Sequence, residues 1–170
     1  MIVCIEGPDG AGKSTLVNYL IDTYGMNMIH SNSETKNDLD YHIDLLQKDN
    51  TVLDRANLGE IVYPAVYGRE PKMDWDDQID FMNECAEQKV IYIIFYASDF
   101  NTLKERLFKR GDTEQVLENA EKINLVFKVL AEMLGTFYDN VYPLDISKVD
   151  NQVEYFNEIL KNAEESDYGN

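Results

Sequence analysis

Apolar residues along this chain keep two rhythms in turn. Short apolar runs recur at Ile2-Val3-Cys4-Ile5, Met26 to His30, Thr51-Val52-Leu53, Val90 to Tyr96 and Val141 to Ile146, with the length of buried strands. Val90 to Tyr96 (VIYIIFY) is almost wholly apolar, as expected of a central parallel strand covered on both faces. Between the runs the spacing turns helical. Leu16, Val17 and Leu20 mark a first helix that stops at Thr23-Tyr24-Gly25, with Gly25 as a left-handed cap. A polar helix over Thr35 to Gln47 carries Leu39, Ile43 and Leu46 on one face, with Ser31-Asn32-Ser33 as loop before it. Leu58 to Tyr67 follows, ended by Gly68. Asp74 then caps a helix through Ile79, Met82 and Cys85 to about Gln88. Asp99 caps one carrying Leu103, Arg106 and Leu107. A long amphipathic helix spans about Glu114 to Phe137, through Val116, Ile123, Val126, Val129, Leu130 and Met133. Asn151 to Ala163 forms a last helix.

Strands alternating with helices predict an α/β fold: about five parallel strands with helices on both faces. With no repeat and no linker, one domain at 1–165 is expected. The stretch Glu164 to Asn170 (EESDYGN) reads as frayed, leaving 166–170 as a tail. In such sheets ligands gather at the carboxyl ends of the strands. The polar groups of interest here each follow a strand: the loop over 7–14, His30 to Glu34, Asp54-Arg55, and Asp145-Ile146-Ser147.

The loop after the first strand reads Gly7-Pro8-Asp9-Gly10-Ala11-Gly12-Lys13-Ser14, which is G-x-x-x-x-G-K-S between a strand and a helix. Its glycines let backbone N–H groups converge on phosphate oxygens, and the helix start adds unpaired donors. Lys13 reaches β- and γ-phosphates, and Ser14 offers a hydroxyl to Mg²⁺. This implies a bound nucleoside triphosphate.

Charge sharpens the picture. The chain has 170 residues, 44% of them hydrophobic, and a formal net charge of -17. That balance argues against a nucleic-acid partner, which needs basic excess. It also requires the few cations to be concentrated where phosphates bind. No apolar run is long enough for a bilayer and no leader pattern is present, so a cytoplasmic protein without a membrane partner is expected. Cys4 and Cys85 have no metal-ligand spacing, and Cys4 reads as a reduced core residue.

Three cations stand within five residues in Arg106-Leu107-Phe108-Lys109-Arg110, before Gly111-Asp112. Arg106 and Arg110 share a helix face, where a mobile segment can bring them over transferring phosphate; the plainer alternative is a solvated basic helix end. Arg55 is placed to hold an anionic acceptor, and Asp54 to bind an acceptor hydroxyl or Mg²⁺ through water. Arg69 and Lys72 are candidate acceptor-phosphate contacts, and Tyr63, Tyr67 and Trp75 candidate base-stacking residues. His30 and His42 lack partner patterns and read as structural. Glu6 reads as a partner for a loop N–H.

Glu6 to Thr15, EGPDGAGKST, resembles the thymidylate kinase pattern E-G-x-D-G-x-G-K-S/T. Asp54-Arg55 is similar to that family's Asp-Arg pair after the third strand. Gly59-Glu60-Ile61-Val62-Tyr63 with Tyr67-Gly68-Arg69, the lid-like RLFKRGD over 106–112, and Leu144-Asp145-Ile146-Ser147 resemble the short versions encoded by bacterial viruses. The resemblance implies a three-layer P-loop fold of strand order 2-3-1-4-5 with a lid. It implies ATP with Mg²⁺ held by Gly7, Asp9, Gly10, Ala11, Gly12, Lys13, Ser14, Thr15, Arg106 and Ser147, with Ser14 and Asp54 toward the metal. It places Asp9, Arg55, Tyr63, Tyr67 and Arg69 on the acceptor and makes Lys13, Asp54, Arg55, Arg106 and Arg110 catalytic. Many members pair as homodimers, so a homodimer is among the expected assemblies. One departure stands out: the family's arginine after the second strand is absent from His30-Ser31-Asn32-Ser33-Glu34, and Lys36 is the candidate replacement.

The activity implied is transfer of the γ-phosphoryl of ATP to a deoxynucleoside monophosphate, dTMP first. The alternatives are a deoxynucleoside kinase, with Glu34 or Asp54 as base for a 5′-hydroxyl, and a nucleotide-dependent switch. The switch is disfavoured by the lack of an N-K-x-D guanine motif and by the unexplained arginine run.

Overall fold

The structure is a computed structural model that describes residues 1–32 and 34–167. Ser33, expected within a loop, and residues 168–170 of the expected tail lie outside the described residues. The strands are β1 (Ile2–Glu6), β2 (Asn27–His30), β3 (Thr51–Asp54), β4 (Ile91–Tyr96) and β5 (Val141–Asp145). The helices are α1 (Lys13–Tyr24), α2 (Leu39–Leu46), α3 (Gly59–Tyr67), α4 (Trp75–Glu87), α5 (Phe100–Arg110), α6 (Glu114–Phe137) and α7 (Gln152–Asp167). The sheet order is β2-β3-β1-β4-β5, every pair parallel. This is the α/β P-loop architecture and strand order expected from the sequence.

Alternation along the strands sorts the core into two layers. Cys4, Leu53, Tyr92 and Ile94 face one side, where Phe81 and Cys85 of α4 and Phe127 and Leu130 of α6 cover them. Val3, Ile5, Val52, Ile93 and Phe95 face the other, against Leu16 and Leu20 of α1, Leu107 of α5 and Phe156 of α7. Both cysteines are buried and free. Pro143, which cannot donate to a ladder, sits in β5 at the sheet edge, where that costs least. Among the described residues no helix is long and apolar enough to cross a membrane.

The ends of several elements follow local chemistry. Gly25, Gly68 and Gly111 close α1, α3 and α5 in the left-handed conformation. Asp74 caps α4 through a reciprocal pair with Asp77: each carboxylate accepts from the other's backbone N–H.

Four expectations are corrected. The polar helix begins at Leu39 rather than Thr35, because Asp38 takes the cap and accepts from Tyr41 N at 3.0 Å. Its most buried face is His42, Leu45 and Leu46, with Leu39 and Ile43 only partly covered. On α6, Val116 and Val129 stand exposed rather than in the core. The last helix runs to Asp167, past Ala163.

Candidate active site

Everything built at the carboxyl ends of the strands rests on how β1 leaves the sheet. Glu6, its last residue, is 1% exposed, and one oxygen accepts from both Ala56 N and Leu58 N at 2.9 Å. Burial pushes its pKa up; those bonds and the charges of Lys13 and Arg55 pull it back. The expected N–H partner of Glu6 is therefore a pair of N–H groups, and they pin the segment carrying Arg55. The next residue has to be glycine: Gly7 has φ 139°, and a Cβ there would lie 2.6 Å from Phe95 Cβ. Lys13 turns back and donates to Gly7 O at 2.8 Å and Pro8 O at 2.9 Å. Burial, helped by Arg55's charge, lowers its pKa. Gly12 precedes α1 without a capping side chain, and Thr15 N donates to Gly12 O at 3.1 Å, which leaves the N–H groups of Lys13 and Ser14 to meet an anion. Ser14 and Thr15 lie exposed at that turn.

The ends of β2 and β3 face this loop. His30 and Asp54 are register partners in the parallel ladder, and His30 Nδ1 lies 2.8 Å from Asp54 Oδ2. Arg55 follows in the left-handed region, φ 69°, with its N–H donated to Ile5 O at 3.0 Å. That turn sends its side chain across the loop. It bonds Asp9 through Nη2, lies 5.6 Å from the Tyr63 ring centroid, and its buried Nε has no partner among the described residues.

Two neighbouring cavities result, and Arg55 lines both. One, of about 310 Å³, is lined by the phosphate loop with Lys13 and Ser14, and by His30, Asp54 and Arg110. The other, of about 400 Å³, is walled by Ser31, Asn37, Glu60, Tyr63, Tyr67 and Arg69. From α5, Arg106 donates to Ala11 O at 3.1 Å, while Arg110 reaches the first cavity and holds Asp112 at 2.7 Å. Lys109 is exposed and lines neither cavity. At the far side, Ser147 Oγ accepts from Asp99 N at 3.0 Å and ties the loop after β5 to the start of α5.

Most sequence-derived candidates therefore gather at one edge of the sheet, though not all. Tyr63 and Tyr67 lie side by side in the second cavity, ring centroids 6.4 Å apart and planes 13° from parallel. Burial pushes the Tyr63 phenol up, so it stays neutral. Arg69 joins Glu60 at 3.6 Å, and Lys72 donates its backbone N–H to the same carboxylate. Trp75 lines a separate groove between α3 and α4, outside the second cavity. Lys36 pairs with Asp38 at 2.9 Å and lines neither cavity, so it does not stand in for the absent arginine. Glu34 is exposed and lines neither.

His42 is structural as expected: buried beside Tyr41 and Phe81, its pKa driven down to about 4 by burial. His30 lines the first cavity, bonded to Asp54. Asn37 and Gln152, whose amide reaches Gly12 O at 3.3 Å, also lie at the site without a motif to announce them, while Ser31 and Glu60 fall within the segments over 30–34 and 59–63 with nothing there to single them out.

The donors suit a hard cation held jointly with phosphates. Ser14 Oγ and Asp54 line one cavity, and His30 occupies only one of the two Asp54 oxygens. Among the described residues no cluster of three or more His, Cys, Asp or Glu side chains could hold a metal by itself.

No protein-family model matches this sequence, and no curated protein is similar to it. Solved structures are. The YorR protein of Bacillus subtilis, in complex with phosphorylated GDP, aligns over 97% of this chain and 98% of its own at 18% identity and a TM-score of 0.79. Deoxyadenosine kinase from M. mycoides with bound dATP aligns over 95% and 99%, at 23% identity and a TM-score of 0.59. Shikimate kinase from Bacteroides thetaiotaomicron aligns over 95% and 98%, at 14% identity and a TM-score of 0.52. At such identities the likeness establishes the architecture: this chain has the α/β P-loop fold of these structures.

Proposed function

We propose that this protein transfers the γ-phosphoryl group of ATP, with Mg²⁺, to the 5′-phosphate of a deoxynucleoside monophosphate. The observation that carries the reading is Arg55. It lines both cavities, so a donor's terminal phosphate in one and an acceptor in the other would meet at its guanidinium. The phosphorylated GDP in the YorR structure supports a nucleotide acceptor. The resemblance to thymidylate kinases names dTMP as the first acceptor to assay.

An acceptor phosphate is a competent nucleophile at neutral pH, so the site needs position and positive charge more than a base. Lys13 would exchange the Gly7 and Pro8 carbonyls for donor phosphate oxygens. Arg106 and Arg110 would stabilise charge on the transferring group, and Arg55 would align the acceptor. Ser14 and Asp54 would hold Mg²⁺, which neutralises charge on the donor phosphates when bound. Ser147 and the loop after β5 would border the adenine.

A second reading, a deoxynucleoside kinase acting on a 5′-hydroxyl, draws on Asp54, a carboxylate that lines the first cavity, where Glu34 does not. We also propose a homodimer in the cytoplasm. Its support is the apolar face that α6 leaves exposed at Leu125, Val129 and Phe137.

The deciding assay follows the label of [γ-³²P]ATP into deoxynucleoside monophosphates, deoxynucleosides and water side by side. The expected product is a labelled diphosphate. Label on nucleosides would favour the second reading; label on inorganic phosphate alone would overturn both.

A further inference from the structure

The cavity beside Arg55 carries an unmet set of hydrogen-bonding groups. Ser31 is 3% exposed and Asn37 5%, and both line it. Among the described residues Ser31 Oγ, Asn37 Oδ1 and Arg55 Nε have no hydrogen-bond partner, and all three belong to residues that line this cavity. Buried polar atoms without partners are rare and costly, so three on one cavity point to a ligand that supplies them.

The Asn37 amide is fixed in orientation. Its Nδ2 donates to Asn32 O at 2.7 Å and to Glu60 Oε1 at 3.2 Å. Turning the amide over would set oxygen against two acceptors, so Oδ1 must be the atom left open. The backbone at Asn37, φ 50°, lies in the left-handed region that asparagine tolerates better than most residues. Glu60 is 3% exposed and adds a carboxylate to the same wall, one oxygen shared between Asn37 and Arg69, the other taken by Lys72 N.

We infer that this cavity reads the acceptor's base, and that it takes an amino-bearing base (cytosine, adenine or guanine) in preference to thymine. This rests on the proposed assignment of the cavity to the acceptor. The wall offers acceptors: Asn37 Oδ1 and the Glu60 carboxylate, with Ser31 able to serve either way. An exocyclic amino group brings two hydrogens side by side to such a wall. Thymine brings one N–H flanked by two carbonyls, and a carbonyl set toward Glu60 and Asn37 would leave acceptor facing acceptor. Ser31 and Arg69 remain as donors for the ring nitrogen or carbonyl of an amino-bearing base.

The test compares matched nucleotides, dCMP with dUMP and dGMP with dIMP, which differ at the amino group, together with dTMP. Both kcat/KM with ATP and calorimetric Kd are measured for the full chain. The amino-bearing member is expected to lead by about tenfold or more in each pair and over dTMP. Asn37→Gly keeps the backbone conformation but removes the carbonyl, and Ser31→Ala removes the hydroxyl. In both, the ratio shrinks toward one while KM for ATP holds.

A dUMP or dTMP that equals or beats its amino-bearing counterpart overturns the inference, as does a ratio that survives both substitutions. Should Asn37→Gly fail to fold, the wild-type pairs and Ser31→Ala still decide. Transfer to water with the binding preference intact would sink the reaction assigned above and leave this inference standing. Efficient transfer led by dTMP would do the reverse.

Discussion

Arg55 joins a functional claim to a backbone claim, and two substitutions separate them. Its φ of 69° puts a residue with a Cβ in the left-handed region, a cost of roughly 1–2 kcal/mol that glycine escapes. Glycine's freer unfolded chain returns about 0.5–1 kcal/mol of that. Arg55→Gly and Arg55→Ala lose the same side chain: the Asp9 pair, the contact with Tyr63 and the reach into both cavities. Their difference therefore isolates the backbone, and the glycine variant should be the more stable by about 0.5–1 kcal/mol. For a chain of this size that is roughly 2 °C in Tm. Urea unfolding followed by circular dichroism reads it directly, and phosphoryl transfer is measured on the same preparations. Both variants should lose on the order of 10²-fold or more in kcat/KM, since neither offers the charge that would hold the acceptor. An alanine variant as stable as the glycine one would refute the strain argument. A glycine variant that keeps turnover would refute the placement of Arg55 between donor and acceptor.

Four further outcomes are expected. Lys13→Ala and Arg110→Ala should each lower turnover by on the order of 10²-fold, far more than they weaken folding in a denaturant titration; full turnover in both would unseat the site. Glu6→Leu leaves Ala56 N and Leu58 N without an acceptor and should cost about 2–4 kcal/mol, whereas Glu6→Gln keeps an acceptor oxygen and should cost clearly less in the same denaturant titration. His42 is held neutral with its pKa near 4 against 6.5 in the unfolded chain, so below 6.5 the unfolded state takes up a proton that the native state refuses, and stability falls with pH. His42→Leu should remove that slope, widening its advantage over wild type by about 2 kcal/mol between pH 7 and pH 5; parallel stability curves would show the histidine is not kept neutral. Leu125→Glu with Val129→Glu should shift sedimentation from dimer to monomer, and a wild-type monomer at micromolar concentration would end the dimer proposal.

The local part of this protein was legible in its residues. The phosphate loop, the left-handed glycines at 25 and 68, the Asp74 cap and the span of α6 are governed by neighbours a few positions away, and such signals survive in one dimension. The expected strand order 2-3-1-4-5 came through resemblance, and the structure has it. What stayed hidden depends on which strand ends lie side by side. His30 had no motif; it joins the site because the parallel register sets it opposite Asp54. Ser31, Asn37 and Glu60 are scattered over thirty positions, and only the crossovers from β2 through α2 and from β3 into α3 close them around one cavity. The positive φ of Arg55 was equally invisible, since arginine has no preference for it. The fold imposes it by holding the following segment on the buried Glu6, some fifty residues earlier. Periodicity and caps are short-range physics, while convergence of charge and hydrogen-bonding groups is decided by topology, and topology exists only once the sheet has formed.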